Sequence, residues 1–208
     1  EKFNISFIED NPADFKFIEL AFKSASEFLT DSSNIKSNLF DITRYKNVNE
    51  NIFNSDVVFI SNKKSFSETE ANILKDYVSN GGGLFVFLGT NADIENYNKV
   101  LFSKLNSLRI ERLNSDIENN VNLKFNNIDF ENPLMYEIFK NNDLNITSEK
   151  YIVESPEIRS YYELLLNENT KPVITLNNNK PFLAETDFAK GKIIISSVSA
   201  TEELSDLP

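Results

Sequence analysis

Three stretches of this chain are apolar without alternation: Val57-Val58-Phe59-Ile60, Leu84-Phe85-Val86-Phe87-Leu88 and Ile193-Ile194-Ile195. A strand with one wet face shows a polar residue at every second position. A strand in the middle of a parallel sheet is covered on both faces and reads as an unbroken apolar run. The three runs are rich in β-branched and aromatic side chains and too short for helices. They predict three buried parallel strands of one sheet, and parallel strands require right-handed crossovers between them.

The segments around these runs supply the crossovers. Phe3 to Ile8 alternates as a strand does and meets Asp10-Asn11-Pro12, where Asn caps a helix and Pro takes its first position. Phe15, Ile18, Phe22, Ala25 and Leu29 then form one helical stripe, and a second strand is expected from Leu39 to Tyr45. Ser67-Glu68-Thr69-Glu70 has capping-box spacing ahead of a helix whose apolar face is Ile73, Leu74, Tyr77 and Val78. Asn80-Gly81-Gly82-Gly83 ends that helix, because glycine accepts the left-handed conformation of a helix C-terminus at little cost. Ile94, Tyr97, Leu101 and Leu105 carry helical spacing again, so residues 1 to 107 read as alternating strands and helices. Beyond them, Leu108 to Leu113 predicts a strand, Val121 to Phe130 an edge or loop, and Asn132-Pro133 a short helix carrying Leu134, Ile138 and Phe139. Pro172 to Leu176 and Pro181 to Glu185 flank Asn177-Asn178-Asn179-Lys180 as a hairpin does. The expected fold is therefore a single α/β domain over residues 1–208, a three-layer, mainly parallel, doubly wound sheet of flavodoxin type with a C-terminal β-hairpin.

Composition excludes whole classes of chemistry. The chain has no histidine and no cysteine, which removes imidazole-dependent triads, thiolate nucleophiles and zinc sites of the usual kind. Against 21 Lys and Arg stand 32 Asp and Glu, a formal charge of −11 that opposes electrostatic binding of nucleic acid or anionic lipid. No apolar run approaches the roughly 18 residues of a membrane-spanning helix. The chain starts at Glu1 without a signal peptide's apolar stretch and stops at Pro208, which suggests a soluble piece of a longer, membrane-anchored protein. Asn makes up 30 of 208 residues, so an individual Asn, including the triplets Asn4-Ile5-Ser6 and Asn145-Ile146-Thr147, carries little functional weight.

The helix end Asp76-Tyr77-Val78, the turn Asn80-Gly81-Gly82-Gly83, the strand Leu84 to Leu88 and the late Gly191-Lys192-Ile193 resemble the class I glutamine amidotransferase-like fold. More closely, Asp56 to Asn98, Pro181-Phe182-Leu183 to Gly191-Lys192 and the terminal Leu204-Ser205-Asp206-Leu207-Pro208 are similar to the soluble domain of Bat-type aerotolerance-related membrane proteins of Bacteroidetes. Active members of that superfamily place a Cys on the turn after a central strand and a His late in the chain. Here those places read Gly89-Thr90-Asn91 and Ser196 to Glu202, so amidotransferase activity does not carry over. The resemblance implies a periplasmic domain outside a membrane, joined to it by an absent anchor and working among other envelope proteins.

Ligands of doubly wound sheets bind beyond the carboxyl ends of the strands. Glu9-Asp10-Asn11, Ser61-Asn62 and Gly89-Thr90-Asn91 converge there, which makes Asp10, Asn62, Thr90 and Asn91 the candidate ligand-binding residues. These are also the residue types that turns prefer for their own sake. A carboxylate pair such as Asp10 with Asp93 or Glu202 has the chemistry for glycoside hydrolysis. Asp93, Glu95 and Asn98 lack the Gly and terminal Glu of a calcium loop and read instead as the acidic first turn of a helix. Gly81-Gly82-Gly83 follows a helix and opens a strand, the reverse of a phosphate-binding loop. No catalytic residue, metal or cofactor is expected. The function expected is a non-catalytic domain for protein interaction or ligand sensing, and the alternative is a carboxylate-dependent hydrolase acting on carbohydrate.

Overall fold

The computed structural model describes residues 2–31, 39–115, 123–135 and 155–206, without the side chains of 27–31. Ten strands are found among them: β1 (Phe3–Glu9), β2 (Phe40–Tyr45), β3 (Val57–Ser61), β4 (Gly83–Phe87), β5 (Arg109–Ser115), β6 (Phe125–Ile128), β7 (Ser160–Leu165), β8 (Thr170–Leu176), β9 (Pro181–Phe188) and β10 (Gly191–Ser196). Helix α1 (Lys16–Asp31) follows a 3-10 turn, Pro12–Phe15, and α2 (Glu68–Ser79) joins β3 to β4.

Eight strands form one sheet in the order β2-β1-β3-β4-β10-β9-β8-β6. The three unbroken apolar runs lie side by side in it and run parallel, Val58 opposite Leu84 and Leu84 opposite Ile193. From β10 onward each further pairing is antiparallel. The mainly parallel, three-layer, doubly wound sheet expected from the sequence is thereby corrected to a mixed sheet. The reason is local. Asn177–Lys180 and Ala189–Lys190 are connections too short for a parallel crossover, so β8, β9 and β10 can only run up and down. β6 adds to the outer edge of β8, while β5 and β7 leave to form a separate antiparallel pair.

The two faces of the parallel half are not equivalent. Val58, Ile60, Leu84, Val86, Ile193 and Ile195 have no more than 1% of their surface exposed and pack with Leu74 and Val78 of α2 in the main core. On the other face Phe59, Phe85 and Phe87 are half-buried and stack ring on ring, at 5.6 Å between Phe59 and Phe85 and 4.4 Å between Phe85 and Phe87. Phe7, Phe15 and Phe22 extend that aromatic layer under α1. The absence of alternation in β4 thus marks one buried face and one face of partly covered rings.

Chain reversals follow the residue chemistry. Asn11 caps the 3-10 turn through its side chain on the Ala13 N–H (3.2 Å), with Pro12 at the first position. Ser67 and Glu70 form a reciprocal capping box, and Gly81 leaves α2 at φ +111°. The helix expected through Leu105 is shorter. It runs Ile94–Asn96 and then widens into a π-helical turn, Tyr97–Phe102, where the Asn98 side chain exchanges two 2.8 Å hydrogen bonds with the backbone of Ile110 on β5. Of the helix expected from Asn132 the described residues show a turn through Met135, and Ile138, Phe139 and Asn145-Ile146-Thr147 lie outside them.

Candidate functional site

The parallel strands β1, β3, β4 and β10 present their carboxyl ends along one edge, at Glu9, Ser61, Phe87 and Ser196. Asn62, the first residue past β3, holds a left-handed backbone (φ 47°) that Asn tolerates better than most side chains. Its N–H donates to the Phe87 carbonyl, which fixes the residue against β4. Its side chain then works in two directions, accepting from the Asn91 N–H at 3.1 Å and donating to Asp14 Oδ1 at 3.4 Å. Gly89 leaves room for this, since a Cβ there would stand 2.1 Å from Asn62 Oδ1. Thr90 donates to Glu203 Oε2 at 2.8 Å, and Tyr162 of β7 donates to the Gly89 carbonyl at 2.8 Å.

Of the four residues predicted from the sequence, Asn62 and Asn91 are bonded to each other and Thr90 is their neighbour in the β4 turn. Asp10 is engaged elsewhere. Its carboxylate accepts from the Lys64 N–H at 3.0 Å and lies 3.5 Å from the Lys63 ammonium. Lys63 is buried, reaching also the Lys46 carbonyl (3.2 Å) and Glu70 (3.6 Å), so Asp10 serves chiefly to neutralise it. Asp93 caps the next helix on the Asn96 N–H (3.1 Å), the role given by its position in the first turn.

The central acid is one the sequence does not single out. Asp14, on the 3-10 turn after β1, retains 4% of its surface. Its Oδ1 is held by Asn62, and its Oδ2 has no hydrogen-bond partner. Burial pushes the Asp14 carboxyl above the ordinary range. The hydrogen bond from Asn62 opposes that shift, and the charges of Glu203, Glu9 and Asp10 add to it. Glu9 is buried beneath with one oxygen on Arg44 and the other unpartnered, and Ser197, just past β10, has a buried hydroxyl without a partner. Asp14 precedes Phe15, which enters the aromatic layer. An acid next to a residue committed to the core is the one signal in the sequence that points to it.

A depression of about 970 Å³, open to solvent, lies between the π-helical turn and β5. In its lining Glu95 pairs with Lys99, Asn98 with the Ile110 backbone and Ser103 with the Lys99 carbonyl, and the charged side chains of Arg109 and Glu111 complete the rim. Among the described residues no group of three acidic side chains is placed to hold a metal ion.

No family model matches the chain, and no curated protein does. Solved structures match in fold. A cytoplasmic protein of Salmonella typhimurium, STM3548, superposes with a TM-score of 0.65 at 14% identity over 96% of this chain and 89% of its own. A second, STM1381, gives 0.61 at 16% identity over 97% and 90%. A β-galactosidase from Bacillus circulans gives 0.55 at 10% identity, matching 99% of this chain but 29% of its own. These likenesses are of fold alone. They correct the setting drawn from the resemblance to Bat-type domains. The two structures matched over nine tenths of their length are described as cytoplasmic proteins, none of the three points to aerotolerance or Bacteroidetes, and the sheet is not the amidotransferase-like α/β sheet expected. The periplasmic placement is withdrawn with it.

Proposed function

We propose that the chain is a ligand-binding domain whose site is the carboxyl edge of β1, β3 and β4, and that it binds without turning its ligand over. One observation carries the proposal: Asp14 Oδ2 is buried at that edge with no donor to satisfy it. Buried polar atoms are hydrogen-bonded in nearly all cases, and an exception at a strand edge is a place where a ligand atom completes the set. The surrounding residues supply recognition, while Thr90 is committed to Glu203 and the chain contains neither His nor Cys to activate a hydroxyl. The test is a screen of small polar molecules by amide chemical shifts. Binding should perturb Thr90, Asn91 and Asn62 together, and ligands that perturb only the β5 depression would refute the placement.

A hydrolase is the second reading, favoured by the raised Asp14 carboxyl among three other acids and by the partial match to β-galactosidases. Aryl glycosides separate the two. Hydrolysis abolished by Asp14→Asn would establish the enzyme, and an unchanged background rate supports the binding domain.

A further inference from the structure

We propose that the ligand of this edge is an organic cation, a molecule whose ammonium or guanidinium group docks between Asp14 and Glu203 with Thr90 and Asn91 at its rim. The inference rests on the binding reading above and adds the ligand's chemistry. The charges that raise the Asp14 carboxyl are acidic: Glu203, Glu9 and Asp10. Two of these are compensated, Glu9 by Arg44 and Asp10 by Lys63. Asp14 and Glu203 have no Lys or Arg partner among the described residues; their side-chain contacts are Asn62 and Thr90, both neutral.

The site thus lacks two things at once, a hydrogen-bond donor at Asp14 Oδ2 and, among the described residues, a cationic partner for either Asp14 or Glu203. A neutral hydroxyl supplies the first and not the second. An anion supplies neither and is repelled. A bare metal ion would need acids converging on one point, and the described acids do not converge so. An ammonium or guanidinium group carries several N–H donors and one delocalised or compact charge, so a single group meets both needs. Taking up the cation also favours ionised Asp14, so binding should tighten as pH rises through the raised range of that carboxyl.

The probes are ethylammonium, 1,4-diammoniobutane and guanidinium as chlorides, with 1-propanol and glycerol as neutral counterparts and sodium chloride as the ionic-strength control. Amide shifts and calorimetry are followed on the whole chain. At least one cation should bind saturably with shifts at Thr90 and Asn91, and sodium chloride should not reproduce them. Asp14→Asn should weaken that binding at least tenfold, and Glu203→Gln should weaken it with Asp14 intact, which guards against an effect of Asp14→Asn on folding. Saturable binding of glycerol or propanol with none of the cations overturns the cation and leaves the binding reading standing. Absence of any binding at the edge overturns both. Cation binding unaffected by both substitutions places it elsewhere and overturns the proposal.

Discussion

Asn62 and Gly89 are a matched pair, and neither tolerates exchange. Alanine at Gly89 would put a methyl group 2.1 Å from Asn62 Oδ1, so Asn62 must swing away and release both the Asn91 N–H and Asp14. Overpacking of this kind costs about 1–3 kcal/mol. Gly89→Ala should lower the urea midpoint accordingly and remove the protection of the Asn91 amide from hydrogen exchange. Ala189 is the converse case. It turns β9 into β10 at φ 53°, a conformation that costs an L-residue roughly 1–2 kcal/mol and glycine almost nothing. Ala189→Gly should stabilise the protein by about 0.5–1 kcal/mol after the entropy of the unfolded glycine is deducted, read from the same midpoint. At this scale the sequence is half legible. Turn position alone finds Asn62, Thr90 and Asn91, because strand ends are visible as the ends of apolar runs. It cannot find Glu203, which is 113 residues from the Thr90 hydroxyl it accepts from.

Helix α2 starts on a device that reaches beyond its own turn. Ser67 accepts from the Glu70 N–H at 3.2 Å, Glu70 Oε2 returns to the Ser67 N–H at 2.9 Å, and Glu70 Oε1 accepts from the Val48 N–H at 3.1 Å. The capping box therefore also holds the β2–β3 connection and faces Lys63, the cation that occupies Asp10. Ser67→Ala should cost about 1 kcal/mol, and the loss should appear as faster exchange in the first turn of α2 ahead of global unfolding. Capping boxes, apolar runs and the Asn11-Pro12 start are local patterns, which is why β1 to β4, α1 and α2 can be read without the structure. The short connections set the direction of β8, β9 and β10, but the partnership of these strands with the parallel half is not local. Pro181 to Phe188 reads equally well as the second half of an isolated hairpin or as the strand that bridges a parallel half-sheet to an antiparallel one. The choice is made by Gly191–Ser196 docking beside β4, a pairing across roughly a hundred residues that periodicity does not encode.

For the molecule as a whole, the absence of histidine makes stability a matter of carboxylates and phenols at the two ends of the pH scale. Hydrogen bonds from Lys23 and Arg44 hold Glu19 below its ordinary range, and those from Lys180 and Arg112 do the same for Glu163. These pairs join α1 to β2 and the two-stranded sheet to the β8–β9 turn, and their contribution is present above the ordinary glutamate pKa and lost as pH falls through the lowered value. At the alkaline end, burial raises Tyr162 to about 12 and raises Tyr97 and Tyr77 as well, so that their contribution is complete below the ordinary phenol range and disappears as pH climbs through the raised values. Between these limits one group acts against the rest. Asp14 has a raised folded pKa, so its contribution is complete below the ordinary aspartate value and is lost as pH rises through the folded value, leaving an ionised carboxylate buried beside Glu203. Asp14→Asn removes that proton while keeping the shape. The urea midpoint of Asp14→Asn minus that of the parent chain, at constant ionic strength, should therefore increase from pH 4 upward and level off once Asp14 is ionised in both states. A difference that stays constant over this range would show that the Asp14 carboxyl titrates as it does in the unfolded chain, and would remove the burial argument on which its part in the site depends.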